Sequence, residues 1–127
     1  SLLSLDAVEH HVARAVADQS AEPLNDLAPL FAAAFSRVER LRDATGPRHA
    51  QAALSECDWA MRFVFELTNN VHEGLVRPDI RQSAFANARE PLGDYRRTKA
   101  QCASALDAPK KDGLARLQDD FTLAAAP

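Results

Sequence analysis

The fold class is decided by residues 53–75, ALSECDWAMRFVFELTNNVHEGL. Apolar side chains recur there every three or four residues, which is the period of an α-helix. This stripe consists of Ala53, Leu54, Cys57, Met61, Val64, Leu67, Val71 and Leu75. Trp59 and Phe63 add a second apolar face, and Phe65 adds a third. Because a helix that is apolar on several sides is surrounded by neighbours, this stretch predicts the central helix of a bundle.

Glycine and proline set the limits of the helices. The central helix is predicted to run from Pro47 to Glu73, with Gly74 as its C-terminal cap. The other four predicted helices cover residues 5–18, 26–45, 79–106 and 112–124. Pro91 interrupts the helix over 79–106, but the buried register continues past it, which predicts one kinked helix. That register consists of Phe85, Ala88, Leu92, Tyr95, Lys99, Cys102 and Leu106.

Composition supports an all-α protein. Alanine is abundant while Val, Ile, Thr and Tyr are scarce, a balance that favours helix over sheet. A chain of 127 residues is close to the commonest size of one domain, so residues 1–127 are predicted to form a single domain. Short connections favour antiparallel neighbours. The sequence therefore predicts an up-and-down bundle of four to five helices, with the fourth kinked near Pro91.

Charge and hydropathy restrict the kind of partner. The formal net charge is −3, which argues against a nucleic-acid partner. No run approaches the roughly 20 apolar residues that a membrane span needs, and no segment resembles a signal peptide. A cytoplasmic location is favoured on this basis. The alternative is an extracytoplasmic domain of a larger protein, since the sequence starts without methionine.

No catalytic or cofactor motif is present in the sequence. The four glycines fall near predicted helix ends and form no phosphate-binding loop. The histidines lack the Glu-x-x-His spacing of a di-iron bundle. The sequence therefore predicts no metal and no cofactor and argues against an enzyme. Two alternatives stay open: a phosphoacceptor role for His10 or His11, and a haem held between histidines of the bundle.

The two cysteines are predicted to be buried, unpaired thiols. With the hairpin turn placed between Glu73 and Asp79, Cys57 lies roughly 24 Å along one arm and Cys102 roughly 34 Å along the other. That offset exceeds the roughly 7 Å between Cα atoms that a disulfide tolerates. If the cysteines were bonded, an oxidising compartment would become the better expectation.

Two functional hypotheses follow. The first is a non-enzymatic interaction or regulatory module that binds a protein partner or a second copy of itself through a helix face. Trp59, Phe63 and Phe65 are its predicted anchors, because aromatic side chains are enriched in interfaces. The second is a sensor domain that binds a small anionic ligand between helices. The residues predicted to bind this ligand are the basic side chains that flank Pro91, namely Arg89, Arg96, Arg97 and Lys99.

Overall fold

The computed structural model describes residues 2–125, with side chains described for residues 2–52 and 54–121. All regular structure in this part of the chain is helical, which confirms the all-α prediction. The α-helices are α1 (Leu2–Asp18), α2 (Ala28–Thr45), α3 (Pro47–Ala53), α4 (Glu56–Val76), α5 (Arg81–Ala105) and α6 (Ala115–Ala125). Two short 3₁₀ helices, Glu22–Leu27 and Pro78–Ile80, precede α2 and α5. Ala53 and Ala124, two alanines predicted to be buried, lie outside the described side chains.

The predicted central helix is divided into α3 and α4, so the prediction of one continuous helix over residues 47–73 is wrong. Leu54 is extended, with φ −65° and ψ 127°. Ser55 then caps α4, because its hydroxyl accepts the amide of Asp58 at 3.3 Å while the Asp58 carboxylate accepts the amide of Ser55 at 3.2 Å. This reciprocal pair satisfies two backbone donors at the helix start, which makes a new start at Glu56 more favourable than continuation.

Helices α4 and α5 form an antiparallel hairpin that is joined covalently near its open end. Cys57 and Cys102 form a disulfide, with their Cα atoms 4.8 Å apart, so the prediction of free thiols is wrong. The prediction was wrong because it placed the end of α4 and the start of α5 too early in the chain. Because α4 continues to Val76 and α5 begins at Arg81, the cysteines lie about 29 Å and about 32 Å along their arms. That small offset is compatible with a disulfide.

The other end of the hairpin is closed by a glycine contact. Gly74 is buried inside α4 rather than capping it. A Cβ atom at this position would lie 2.6 Å from a ring carbon of Phe85, which is closer than such atoms approach. Arg81 instead caps α4, because its Nε donates to the carbonyl oxygen of Gly74 at 2.8 Å. Glycine therefore lets the first turn of α5 lie directly against α4.

Helix α5 continues without a break through Pro91, so one helix rather than two spans this region. Proline removes one backbone hydrogen bond from the helix interior. The side chains of Pro91 and Leu92 are both buried, which keeps this part of α5 against the core. The kink near Pro91 stays a prediction.

Helices α1, α2 and α6 pack against this hairpin, whereas α3 contacts mainly α2. Contacts of Glu9 with Tyr95 and of Gln19 with Arg81 show that α1 runs antiparallel to α5. Phe121 of α6 packs on Phe85, with ring centroids 5.3 Å apart, and the segment before α6 contacts Glu9. Helix α6 therefore also runs antiparallel to α5 and lies beside α1. Helix α2 packs on the other side of α4, where Phe31 and Phe35 of α2 contact Phe65 of α4.

Candidate functional site

A groove of about 960 Å³ lies between α1 and α6, with the first turns of α5 as its floor. Its size is within the range of small-molecule pockets. The walls are mainly apolar and include Ala13, Val16, Ala17, Phe85 and Leu117. Charged side chains also line it, namely Arg81, Arg116 and Asp120. The groove therefore combines apolar walls with a few charged groups, the composition typical of a ligand site.

Arg81 is held in this groove by uncharged acceptors. Besides the bond to Gly74, its terminal nitrogens donate to the side-chain oxygen of Gln19 at 3.0 Å and to the carbonyl of Leu75 at 3.4 Å. Gln19 follows the last residue of α1 and has a left-handed backbone, with φ 52°. Its side-chain amide nitrogen donates to the carbonyl of Val16 at 2.7 Å. The guanidinium is thus fixed in place, yet no carboxylate among the described residues forms an ion pair with it.

A buried cluster of charged residues lies next to the groove. Glu9, Tyr95 and Lys99 are at most 5% exposed. The Lys99 ammonium lies 2.6 Å from the Asp6 carboxylate and 2.5 Å from that of Glu9, and the Tyr95 hydroxyl donates to Glu9. Burial lowers the pKa of Lys99, but its bonds to Asp6 and Glu9 outweigh burial and raise the pKa above its ordinary value. Burial and the Glu9 charge also raise the pKa of Tyr95, so its hydroxyl stays protonated.

This cluster positions α6. The second carboxylate oxygen of Glu9 accepts the backbone N–H of Gly113 at 3.0 Å, just before α6 begins. A Cβ atom at Gly113 would lie 2.5 Å from that oxygen, so any larger residue here has to displace the Glu9 carboxylate. Gly113 also lines the groove. The charged cluster therefore sets the distance between α1 and α6, and with it one end of the groove.

Comparison with known proteins adds no relative. No protein-family model, no curated protein and no solved structure matches this chain. Within the described part of the chain, no three His, Cys, Asp or Glu side chains are grouped so as to hold a metal ion. None of the described helices is both long and apolar enough to cross a membrane.

The structure brings together only two of the four basic residues predicted to bind a ligand, Arg96 and Lys99. Lys99 is buried in the charged cluster, and Arg97 pairs with Asp94 at 2.8 Å. Arg96 pairs with Asp112 at 2.6 Å and lines a cavity of about 140 Å³ together with Lys99. Arg89 donates to the carbonyl of Ala86 in its own helix and lines neither this cavity nor the groove. Binding by these residues stays a prediction.

The groove arginines were missed by sequence reasoning because nothing local relates Arg81 to Arg116. Three segments far apart in the chain form the groove, and only tertiary packing brings them together. Lys99 did carry a signal. It occupies the buried register of α5, and a buried ammonium needs a carboxylate partner.

The three predicted interface anchors do not share one surface. Phe65 packs between Phe31 and Phe35 of α2, with ring centroids 5.0 and 4.8 Å away. Trp59 and Phe63 lie together on another side of α4, 6.2 Å apart and half-buried. The Arg62 guanidinium lies over the Trp59 ring at 5.2 Å. Phe65 thus packs against α2, and Phe63 packs partly on the core beside the half-buried Trp59.

Proposed function

We propose that this protein is a ligand-binding domain of the sensor type, which holds a small molecule in the groove between α1, α5 and α6. The observation that carries the proposal is the combination of a groove of about 960 Å³, apolar walls and a fixed guanidinium without a carboxylate partner. This is the second hypothesis from the sequence, moved from the arginines near Pro91 to Arg81. We also propose that the helices form the up-and-down bundle predicted from the sequence, with α5 kinked near Pro91.

The proposed output of binding is a change in the position or order of α6. The groove is lined by three helices, so a bound molecule contacts all of them at once. Helix α6 follows a connection, residues 106–114, that is held at its end by the Glu9–Gly113 bond. A ligand that bridges α1 and α6 favours the arrangement in which both line the groove.

Filling the groove is expected to abolish binding. Ala17 lies on the α1 wall and is exposed, so an Ala17→Trp variant is expected to fold and to place its indole across the groove. Octanoate serves as the probe, because its carboxylate can bind Arg81 while its chain lies on the apolar walls. We expect the affinity of the variant for octanoate, measured by isothermal titration calorimetry, to fall at least about tenfold, which corresponds to about 1.4 kcal/mol. The matched control is Ala32→Trp, an exposed position on α2 outside the groove. Equal affinity of both variants would contradict the proposal.

An interaction module, the first hypothesis from the sequence, is the second candidate. The half-buried pair of Trp59 and Phe63, with Arg62 stacked on the indole, supports it, because Trp and Arg are the residue types enriched at binding hot spots. The covalent bond at Cys57 fixes this part of α4.

Self-association through this surface is the test of the second candidate. We expect sedimentation of the wild type, from about 10 μM to about 1 mM, to show a dimer, and a Trp59→Ser variant to stay monomeric. Phe65→Leu serves as the control, because Phe65 packs against α2. A wild type that is monomeric throughout this range would exclude a homodimer of this strength.

We also propose an oxidising compartment for this domain. The support is the Cys57–Cys102 disulfide, since disulfides persist in oxidising environments and are rare in the cytosol. This replaces the cytoplasmic expectation with the extracytoplasmic alternative.

A further inference from the structure

We propose that the ligand of the groove is a monoanionic amphiphile, whose carboxylate binds Arg81 while its alkyl chain lies along the apolar walls. This inference rests on the proposed function and adds the chemical class of the ligand. It follows from three observations: the hydrogen-bonding capacity of Arg81, the net charge of the groove and the shape of its apolar walls.

Arg81 has donors left for a ligand. A guanidinium carries five N–H groups, and three of them donate to Gly74, Leu75 and Gln19. The two that remain belong one each to the two terminal nitrogens, which leaves Arg81 two donors for a carboxylate. Because the three existing bonds fix the guanidinium, little side-chain entropy is lost when an anion binds.

The charge of the groove favours a single negative charge. Two guanidiniums, Arg81 and Arg116, and one carboxylate, Asp120, line it, which leaves a net charge of +1. Within the described chain Arg81 and Arg116 form no ion pair, unlike Arg96 and Arg97. A cation or a polyanion fits this balance less well than a monoanion.

The apolar walls fit an alkyl chain. Ala13, Val16 and Ala17 form one stripe of α1, and the largely buried side chains of Phe85 and Leu117, 6% and 4% exposed, lie beneath the same groove. From Ala13 to Gln19 the α1 wall is about 9 Å long, close to the length of an extended chain of about eight carbons. Gln19 contacts Arg81 at one end of this wall, so a carboxylate at Arg81 leaves the chain pointing toward Ala13.

The test compares octanoate with 1-octanol, two probes that share a chain and differ in the charge of the head group. With the wild type, titration calorimetry at pH 7 and low salt is expected to give octanoate at least about tenfold higher affinity than octanol, because charge-assisted bonds are the stronger ones. Similar affinities, within about threefold, would overturn the inference and leave the proposed function standing. Binding of neither probe would instead overturn the proposed function.

Two arginine variants locate the head group. Arg81→Gln is expected to lower the affinity for octanoate at least about tenfold, to the affinity for octanol measured with the same variant. The control is Arg40→Gln, an exposed position on α2 outside the groove, whereas Arg116→Gln, which removes the other positive charge of the groove, is expected to lower the preference less than Arg81→Gln. Loss of the preference in Arg116→Gln but not in Arg81→Gln would overturn the assignment to Arg81. If Arg81→Gln does not fold, the comparison of the two probes on the wild type decides.

Discussion

A Lys99→Met variant is expected to lose about 3–5 kcal/mol of the free energy of unfolding, the cost of removing one partner of a buried ion pair. Lys99 is 4% exposed and lies between the carboxylates of Asp6 and Glu9. Methionine preserves the apolar stem but leaves Glu9, itself 5% exposed, without a cation. Urea unfolding followed by far-ultraviolet circular dichroism measures the loss.

The control for Lys99→Met is Lys110→Met, because Lys110 is exposed and a surface substitution changes stability by less than about 0.5 kcal/mol. Adding Glu9→Gln to Lys99→Met is expected to recover part of the loss, since it removes the uncompensated buried charge. A Lys99→Met variant as stable as Lys110→Met would show that the cluster does not hold α1, α5 and α6 together.

Reduction of the disulfide is expected to have the second large effect. The bond joins cysteines 45 residues apart in the chain. Chain-entropy arguments for a loop of that length give about 4 kcal/mol of stabilisation, which acts through the unfolded state. Urea unfolding with and without dithiothreitol measures the difference.

The control for reduction is the Cys57→Ala/Cys102→Ala double variant, whose stability is not expected to change with reductant. Mass spectrometry of the denatured, unreduced wild type is expected to show a deficit of two hydrogens per chain. A full complement of thiol hydrogens in the protein as purified would contradict the disulfide and return the cysteines to buried free thiols.

Much of the helical framework could be predicted because burial follows periodicity. Val64, Leu67 and Val71 are each fully buried on the stripe that the sequence indicates. The break before α4 was missed although its signal is present. Ser55 and Asp58 have the spacing of a capping box, but the apolar register runs past them and favours one longer helix.

The disulfide shows how a small error in a helix end changes a tertiary conclusion. Placing the end of α4 at Glu73 rather than Val76, and the start of α5 at Asp79 rather than Arg81, gives the two arms an offset of about 10 Å rather than about 3 Å. Helix ends are the least certain part of a sequence prediction, and a covalent contact depends on them directly.

The groove could not be predicted from the sequence for a different reason. Its lining comes from three helices, and the separation of α1 from α6 is set by a bond between Glu9 and the backbone of Gly113. No periodicity or local motif encodes that distance. The basic residues near Pro91 are close in sequence, but α5 brings only Arg96 and Lys99 to a common cavity, while Arg97 pairs with Asp94.

The most direct test of the central claim, that the groove is the ligand site, is a titration of the isotopically labelled protein with octanoate, followed in two-dimensional amide NMR spectra. We expect the largest shifts at the groove residues, in particular Ala13, Ala17, Arg81, Phe85 and Leu117. The amides of α2 and α3 are expected to stay unchanged. Shifts centred on Trp59 and Phe63, or no saturable shifts in α1, α5 and α6, would contradict the account.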